Sequence, residues 1–173
     1  MVNYRAARLD EAQALSALGR ATFCLTFAHL YDPADLNAFL DSVYTPASLA
    51  TDLANPLRLF QVAEQAGELV GYCKLGLDVS LDYDPGARQV IELKQLYLMP
   101  DCQGAGVAGQ LMDWALAQAA LLAADDMLLS VWAGNERAQR FYKRYGFGWV
   151  ADTYFMVGNH RDDEYLYLKR LRN

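Results

Sequence analysis

Six consecutive positions, Gly104-Ala105-Gly106-Val107-Ala108-Gly109, carry the densest chemical signal in the chain. They follow a strand-like run, Val90 to Met99, and open a stretch (104 to 124) whose apolar residues recur at helical spacing: Ala108, Leu111, Met112, Ala115, Leu116, Ala119 and Leu122. Glycine lets an anion approach the backbone closely. The first N–H groups of a helix point outward, where the macrodipole favours negative charge. The turn therefore reads as an anion cradle or as a loop with capping glycines. It also spells the dinucleotide fingerprint letter for letter. Against that reading, Pro100-Asp101-Cys102-Gln103 separate it from its strand, and Asp125 and Asp126 precede the next strand instead of ending it. No Lys-Ser or Lys-Thr follows the glycines, which excludes a P-loop nucleotide triphosphatase.

Other reactive side chains are scattered. Glu92 sits mid-strand among apolar residues, where a carboxylate is costly unless it has a partner or a task. It is a candidate general base, directly or through a water, or a structural partner of Lys94 two residues on. Cys24, Cys73 and Cys102 are odd in number and far apart, so neither a disulfide framework nor a metal-binding pair is visible. They read as buried hydrophobes of a reducing compartment, and no acyl-Cys route at Cys102 is supported by a nearby His-Asp or His-Asn pair. His29 and His160 stand near no nucleophile and read as ordinary surface or core residues. Trp132 is either core or part of an acceptor channel. Asp78, Asp82 and Asp84 are either a solvated loop or a cation-attracting rim over such a site.

The elements that must position these groups follow from the pattern. Val2 to Ala6 is a strand, Asp10 caps a helix with Leu15, Leu18 and Leu25, and Asp32-Pro33 and Thr45-Pro46 open two more helices. Leu57 to Glu64 and Leu69 to Asp78 form a hairpin about Ala66-Gly67. After the Val90–Met99 strand and the long helix come a strand from Met127 to Ala133, a helix from Asn135 to Tyr145 stopped by Gly146, and two strands, Phe147 to Val157 and Glu164 to Leu171. This order predicts an α/β fold, a mixed sheet with helices on it, as a single domain over residues 1–173. Fifteen Lys and Arg against 21 Asp and Glu give a net charge of −6, which argues against a nucleic-acid binder. The N-terminus has no apolar signal region and no run is long enough to span a bilayer, so the expected address is cytoplasmic.

Read as Gln103-x-x-Gly106-x-Ala108, the turn resembles the Q/R-x-x-G-x-G/A signature of the GNAT superfamily of N-acetyltransferases, and Glu92 to Pro100 resembles the strand that leads into it. Asn135-x-x-Ala138-x-x-Phe141-Tyr142-x-x-x-Gly146-Phe147 resembles the second signature helix of the same superfamily. Val131-Trp132-Ala133-Gly134-Asn135 and Phe155-Met156-Val157-Gly158 are similar, more loosely, to the bacterial spermidine/spermine acetyltransferase branch.

The resemblance implies a mostly antiparallel sheet of six to seven strands, splayed at an acetyl-CoA site. It implies that the pyrophosphate sits on the backbone N–H groups of residues 104 to 109, with Gln103, Ala105, Val107 and Ala108 among the binding positions. It further implies that the pantetheine pairs with the backbone of Leu96, Tyr97 and Leu98, that the Leu98 N–H faces the oxyanion, and that Asn135 touches the cofactor while capping its helix. Tyr142, on the face shared by Ala138, Phe141 and Tyr145, becomes the candidate acid for the leaving thiolate, with packing as its other reading. The implied reaction is acetyl transfer to a primary amine, a small polyamine by the branch resemblance, with no metal and with a homodimer through the final strands open. A CoA-binding regulator without turnover and a protein N-terminal or lysine acetyltransferase are the competing readings.

Overall fold

The computed structural model describes residues 1–172. A seven-stranded sheet runs in the order β1-β2-β3-β4-β5-β7-β6, with β1 Val2–Ala6, β2 Arg58–Gln65, β3 Glu68–Gly76, β4 Val90–Leu98, β5 Asp126–Trp132, β6 Gly148–Val157 and β7 His160–Arg170. Every neighbouring pair is antiparallel except β4 and β5. Helices α1 (Ala12–Phe27), α2 (Pro33–Val43) and α3 (Pro46–Ala54) pack on one face; α4 (Val107–Leu121) and α5 (Glu136–Arg144) pack on the other. Asp32 and Thr45 cap α2 and α3 through bonds to Ala34 N and Ser48 N, each helix starting on a proline at its first position.

Two expectations move. The first helix starts at Ala12 after a 3₁₀ turn, Leu9–Glu11, and Asp10 caps nothing. Glu11 does the local work: its carboxylate accepts from Arg8 N at 2.7 Å and from Arg5 Nη2 at 2.6 Å, tying β1 to the turn. The last strand begins at His160, four residues before the expected Glu164, because Val157 pairs directly with His160 across a tight turn at Gly158. That draws Asp162 and Glu164 into the sheet, where they share with Leu166 the face opposite α4 and α5.

The main core lies between α4 and the centre of the sheet. Leu111 and Met112 are fully buried against strand residues including Cys73, Leu75, Leu93, Met127 and Leu129. Each such side chain contributes about 1.5–3 kcal/mol. Ala115 and Ala119, also fully buried, let the helix lie close to the strands. On the other face, Leu15, Leu18 and Phe23 of α1 cover Val62 and Tyr72. A smaller cluster of Val90, Leu128, Leu166 and Leu168 is closed by Val79, Leu81 and Tyr83 from the loop between β3 and β4. Among the described residues, no helix is long and apolar enough to cross a membrane.

The feature that shapes the site is the seam between β4 and β5. Their parallel pairing lasts only through Val90–Asp126, Ile91–Met127 and Glu92–Leu128. Beyond it β4 stays with β3 as far as Leu98, and β5 stays with β7 as far as Trp132, so the sheet opens into a V. A β-bulge in β4 falls at this point: Leu75 opposes Leu93, Lys74 opposes Gln95, and Lys94 is the extra residue. A bulge bends its strand and increases local twist, which turns β4 away from β5.

Candidate active site

The V opens into a cleft of about 1050 Å³, larger than a single small ligand needs and able to hold two reactants. One arm runs along the α4–α5 side. Gln103, Gly104, Gly106, Ala108 and Gly109 line it, together with Asn135, Arg137, Arg140 and Tyr142. Gly104 and Gly106 adopt φ of +87° and +81°, values that disfavour any other residue, and a Cβ at either would project into open space. Gly106 is the N-cap of α4, and the helix's first internal bond runs from Gln110 N to Gly106 O at 3.1 Å. The N–H groups of Val107, Ala108 and Gly109 thus have no helical acceptor and face outward as a ready anion site.

The two remaining residues of the turn work differently. Ala105 and Val107 do not line the cleft; Val107, the first residue of α4, is buried in the main core. Gly109 also meets a packing need, since a Cβ there would stand 3.2 Å from the Tyr145 hydroxyl, which in turn contacts Asp113 Oδ1 at 3.3 Å.

Backbone alternation sorts the β4 residues. Met99 N donates to Val70 O of β3 at 2.9 Å, so the amide groups of Leu98 and Leu96 face the open side of the V. Tyr97 corrects the expectation that three consecutive backbones serve the ligand: its backbone faces β3, and only its side chain reaches the cleft, edge-on to Tyr72 at 5.8 Å.

Asn135 caps α5, its Oδ1 accepting from Ala138 N at 3.0 Å, and still lines the cleft. Tyr142 lines the cleft with Ala138 and Phe141 and is partly buried against the main core. Burial, with a smaller contribution from Cys73, raises its phenol above the ordinary value, so it stays protonated near neutrality and able to donate. Sequence reading missed the arginines of α5. Arg137 donates to the Gln103 side chain, Arg140 pairs with Glu136 at 3.2 Å, and Arg144 lies 5.8 Å over Phe141. Their i, i+3, i+7 spacing was the available signal.

The other arm lies on the α1–α2 face. Phe23, Phe27, Phe39, Tyr44, Trp132 and Phe155 wall it, and Asp162 and Glu164 are its acidic residues. Trp132 is thereby a cleft residue, held edge-on by Phe27 at 6.0 Å and by His29 at 6.1 Å. Asp162 is buried; it accepts from the Tyr31 hydroxyl and lies 3.2 Å from His160 Nε2.

Two expected groups are elsewhere. Glu92 lies in the paired part of the seam and does not line the cleft. Its carboxylate accepts from Ser80 N at 2.6 Å and Ser80 Oγ at 2.9 Å and pairs with Lys94 Nζ at 3.1 Å. Of its two readings the geometry fits the partner of Lys94 and not a base facing the cleft. Asp78, Asp82 and Asp84 do not rim the cleft either, because their loop leads into the paired end of β4. Asp78 is held by Arg58, whose hydrogen bond keeps its carboxyl below the usual range, and Asp84 accepts from Gly86 N at 2.8 Å. Cys102 is buried with its Sγ 3.8 Å from Gln65 Oε1, outside the cleft. Among the described residues no group of three or more His, Cys, Asp or Glu could hold a metal ion.

A seven-stranded sheet splayed beside a glycine cradle is the architecture of the acetyltransferases, and comparison with known proteins agrees. The model of the acetyltransferase (GNAT) family matches residues 24–147. An uncharacterized N-acetyltransferase of Mycobacterium tuberculosis is 33% identical over 167 residues, spanning 94% of this chain and 99% of its own length. One of Lactobacillus delbrueckii subsp. lactis is 29% identical over 157 residues, spanning 90% and 89%. Among solved structures, PaiA N-acetyltransferase from Thermoplasma acidophilum in complex with coenzyme A superposes with a TM-score of 0.79 at 19% identity, covering 98% of this chain and 99% of that one. YncA from Salmonella typhimurium with acetyl-CoA superposes with a TM-score of 0.70 at 18% identity, covering 100% and 95%. The chain belongs to the GNAT family of acetyl-CoA-dependent N-acetyltransferases.

Proposed function

We propose that the chain acetylates a primary amine, with a small aliphatic polyamine such as spermidine or spermine as acceptor, in the cytoplasm. The observation that carries the reading is the opened seam with the α4 cradle at its mouth. The cradle's three outward N–H groups and the Arg137 and Arg140 side chains suit the phosphates of acetyl-CoA. The free amides of Leu96 and Leu98 suit an extended arm added as a strand. Acetyl-CoA, when bound, supplies the activated acetyl group as a thioester. The Leu98 N–H is aimed at the developing oxyanion, and Tyr142 holds the proton that the departing sulfur needs.

The polyamine reading is supported by the second arm. Aromatic walls suit a methylene chain and its ammonium groups, and two carboxylates supply opposite charge. These replace the Asp78–Asp84 loop as the source of attraction. The cytoplasmic reading is supported by three free cysteines.

A screen of amines with labelled acetyl-CoA tests the proposal. Labelled N-acetylspermidine is the expected product. Transfer confined to peptide N-termini or lysines would replace the acceptor, and tight CoA binding with no transfer to any amine would make the chain a CoA-binding regulator.

A further inference from the structure

Two carboxylates line the cleft, Asp162 and Glu164, and they differ in what they touch. Both oxygens of Asp162 are engaged, one by the Tyr31 hydroxyl and the other by His160. Glu164 is half-buried and stands one strand from Ser130 of β5, whose hydroxyl favours its charged form. Among the described residues it has no Lys or Arg partner. Its Cα stands opposite Trp132, the last residue of β5, beyond the point where β5 has left β4. Strand alternation puts its side chain on the aromatic arm, across the sheet from α4 and α5. Of the two cleft carboxylates among the described residues, Glu164 is the one without a salt-bridge partner.

We infer that Glu164 is the general base of the transfer, taking a proton from the acceptor ammonium before it attacks. The inference rests on the amine-acetylating reading above. The bound ammonium gives one proton to the Glu164 carboxylate, leaving a lone pair on nitrogen. That pair forms the C–N bond to the thioester carbon, and the C–S bond breaks with its electrons on sulfur. The sulfur takes the Tyr142 proton, the second nitrogen proton restores Tyr142 through solvent, and Glu164 returns its proton to water. The balance is amide, free thiol of CoA and one released proton.

Burial, and secondarily the Asp162 charge, raise the Glu164 carboxyl above the usual range, while the nearby Ser130 hydroxyl opposes the rise. A base closer to working pH is a better one. The titratable groups coupled to it are Asp162 from its own strand, Tyr31 from the segment after α1 and Tyr97 from β4, with His160 on the far side of Asp162 and His29 against Trp132.

The test compares wild type with Glu164→Gln and Glu164→Asp, using the amine that the wild type acetylates most efficiently in the screen. Expected for Gln is a kcat loss of about 10²- to 10⁴-fold with the acetyl-CoA KM unchanged, and disappearance of the low-pH limb due to this carboxyl. Asp should restore part of the rate. Retention by Glu164→Gln of the acetyl-CoA-induced rise in melting temperature certifies its fold. A raised amine KM with kcat and pH profile intact would overturn the inference in favour of a cation-holding role. So would a uniform scaling of the profile. Carboxyl NMR of the wild type, with the Glu164 signal identified by its loss in the Gln variant, gives a readout that needs no turnover. A midpoint at the ordinary glutamate value of about 4.3 would also overturn it. Failure of every polyamine in the screen would remove the acceptor reading alone, since the comparison then runs on whichever amine is turned over.

Discussion

Tyr142 and Glu92 illustrate what separates a side chain open to a ligand from one closed off by its neighbours. Both are half or fully enclosed, but Tyr142 borders the cleft while both Glu92 oxygens are taken by Ser80 and Lys94. Tyr142→Phe should therefore keep acetyl-CoA affinity and lower kcat by about 10²- to 10⁴-fold, read by thiol release beside a binding isotherm. An unchanged kcat would return Tyr142 to the packing role. Glu92→Ala should act on stability instead. Removing one partner of a buried pair typically costs about 3–5 kcal/mol, and Lys94 is still partly buried in the variant, so a loss at the low end is expected from chemical denaturation. Activity at a temperature where the variant is folded should persist. Tyr142 was legible in the sequence because its helix motif is local. The fate of Glu92 depended on Ser80, twelve positions away on a loop whose path no periodicity reveals.

At the scale of elements, the cradle and the seam do the positioning. The glycine turn and its helix could be read from sequence, since positive φ and helical spacing are properties of a short segment. Gly106→Val should strain a backbone at +81° and crowd the outward N–H groups, abolishing measurable acetyl-CoA binding while α4 and its core remain folded. The opening of the sheet could not be read, because it depends on a bulge that only the β3–β4 register reveals. It makes a distinctive forecast for hydrogen exchange. The Leu96 and Leu98 amides should exchange quickly in the free enzyme and gain protection with CoA, while Met99, already bonded to Val70, should change little. Equal protection of all three in the free enzyme would mean that the seam is closed. The hidden start of β7 had the same kind of cause. Asp162 and Glu164 sit in a polar run, His160 to Glu164, and only its pairing with β6 makes it a strand.

Across the whole molecule, charge is distributed against a first impression. A net −6 and three aspartates on one loop invite the idea of an acidic funnel, yet that loop stands apart from the cleft and closes a hydrophobic cluster with Val79, Leu81 and Tyr83. The Asp82→Asn, Asp84→Asn double variant should leave the amine KM, and its dependence on salt, as in the wild type. A raised KM would restore the loop to the acceptor path. The cleft itself is bipolar, with arginines on the α5 arm and carboxylates on the β7 arm, so an anionic and a cationic ligand would be drawn to opposite ends.

The brevity of the parallel seam bears on how the chain could be divided. Everything through α4 belongs to strands β1 to β4 and their helices, and everything after Ala123 belongs to β5, α5 and the last hairpin. Ala123 is an exposed residue at φ +54° between the two. A break there would leave two fragments that share an apolar face, a three-pair ladder and a few side-chain contacts such as Arg88–Asp126 and Tyr31–Asp162, and a ligand lying along the V would touch both. CoA would then act as an adhesive, and the severed enzyme would report the presence of its own donor by reassembling.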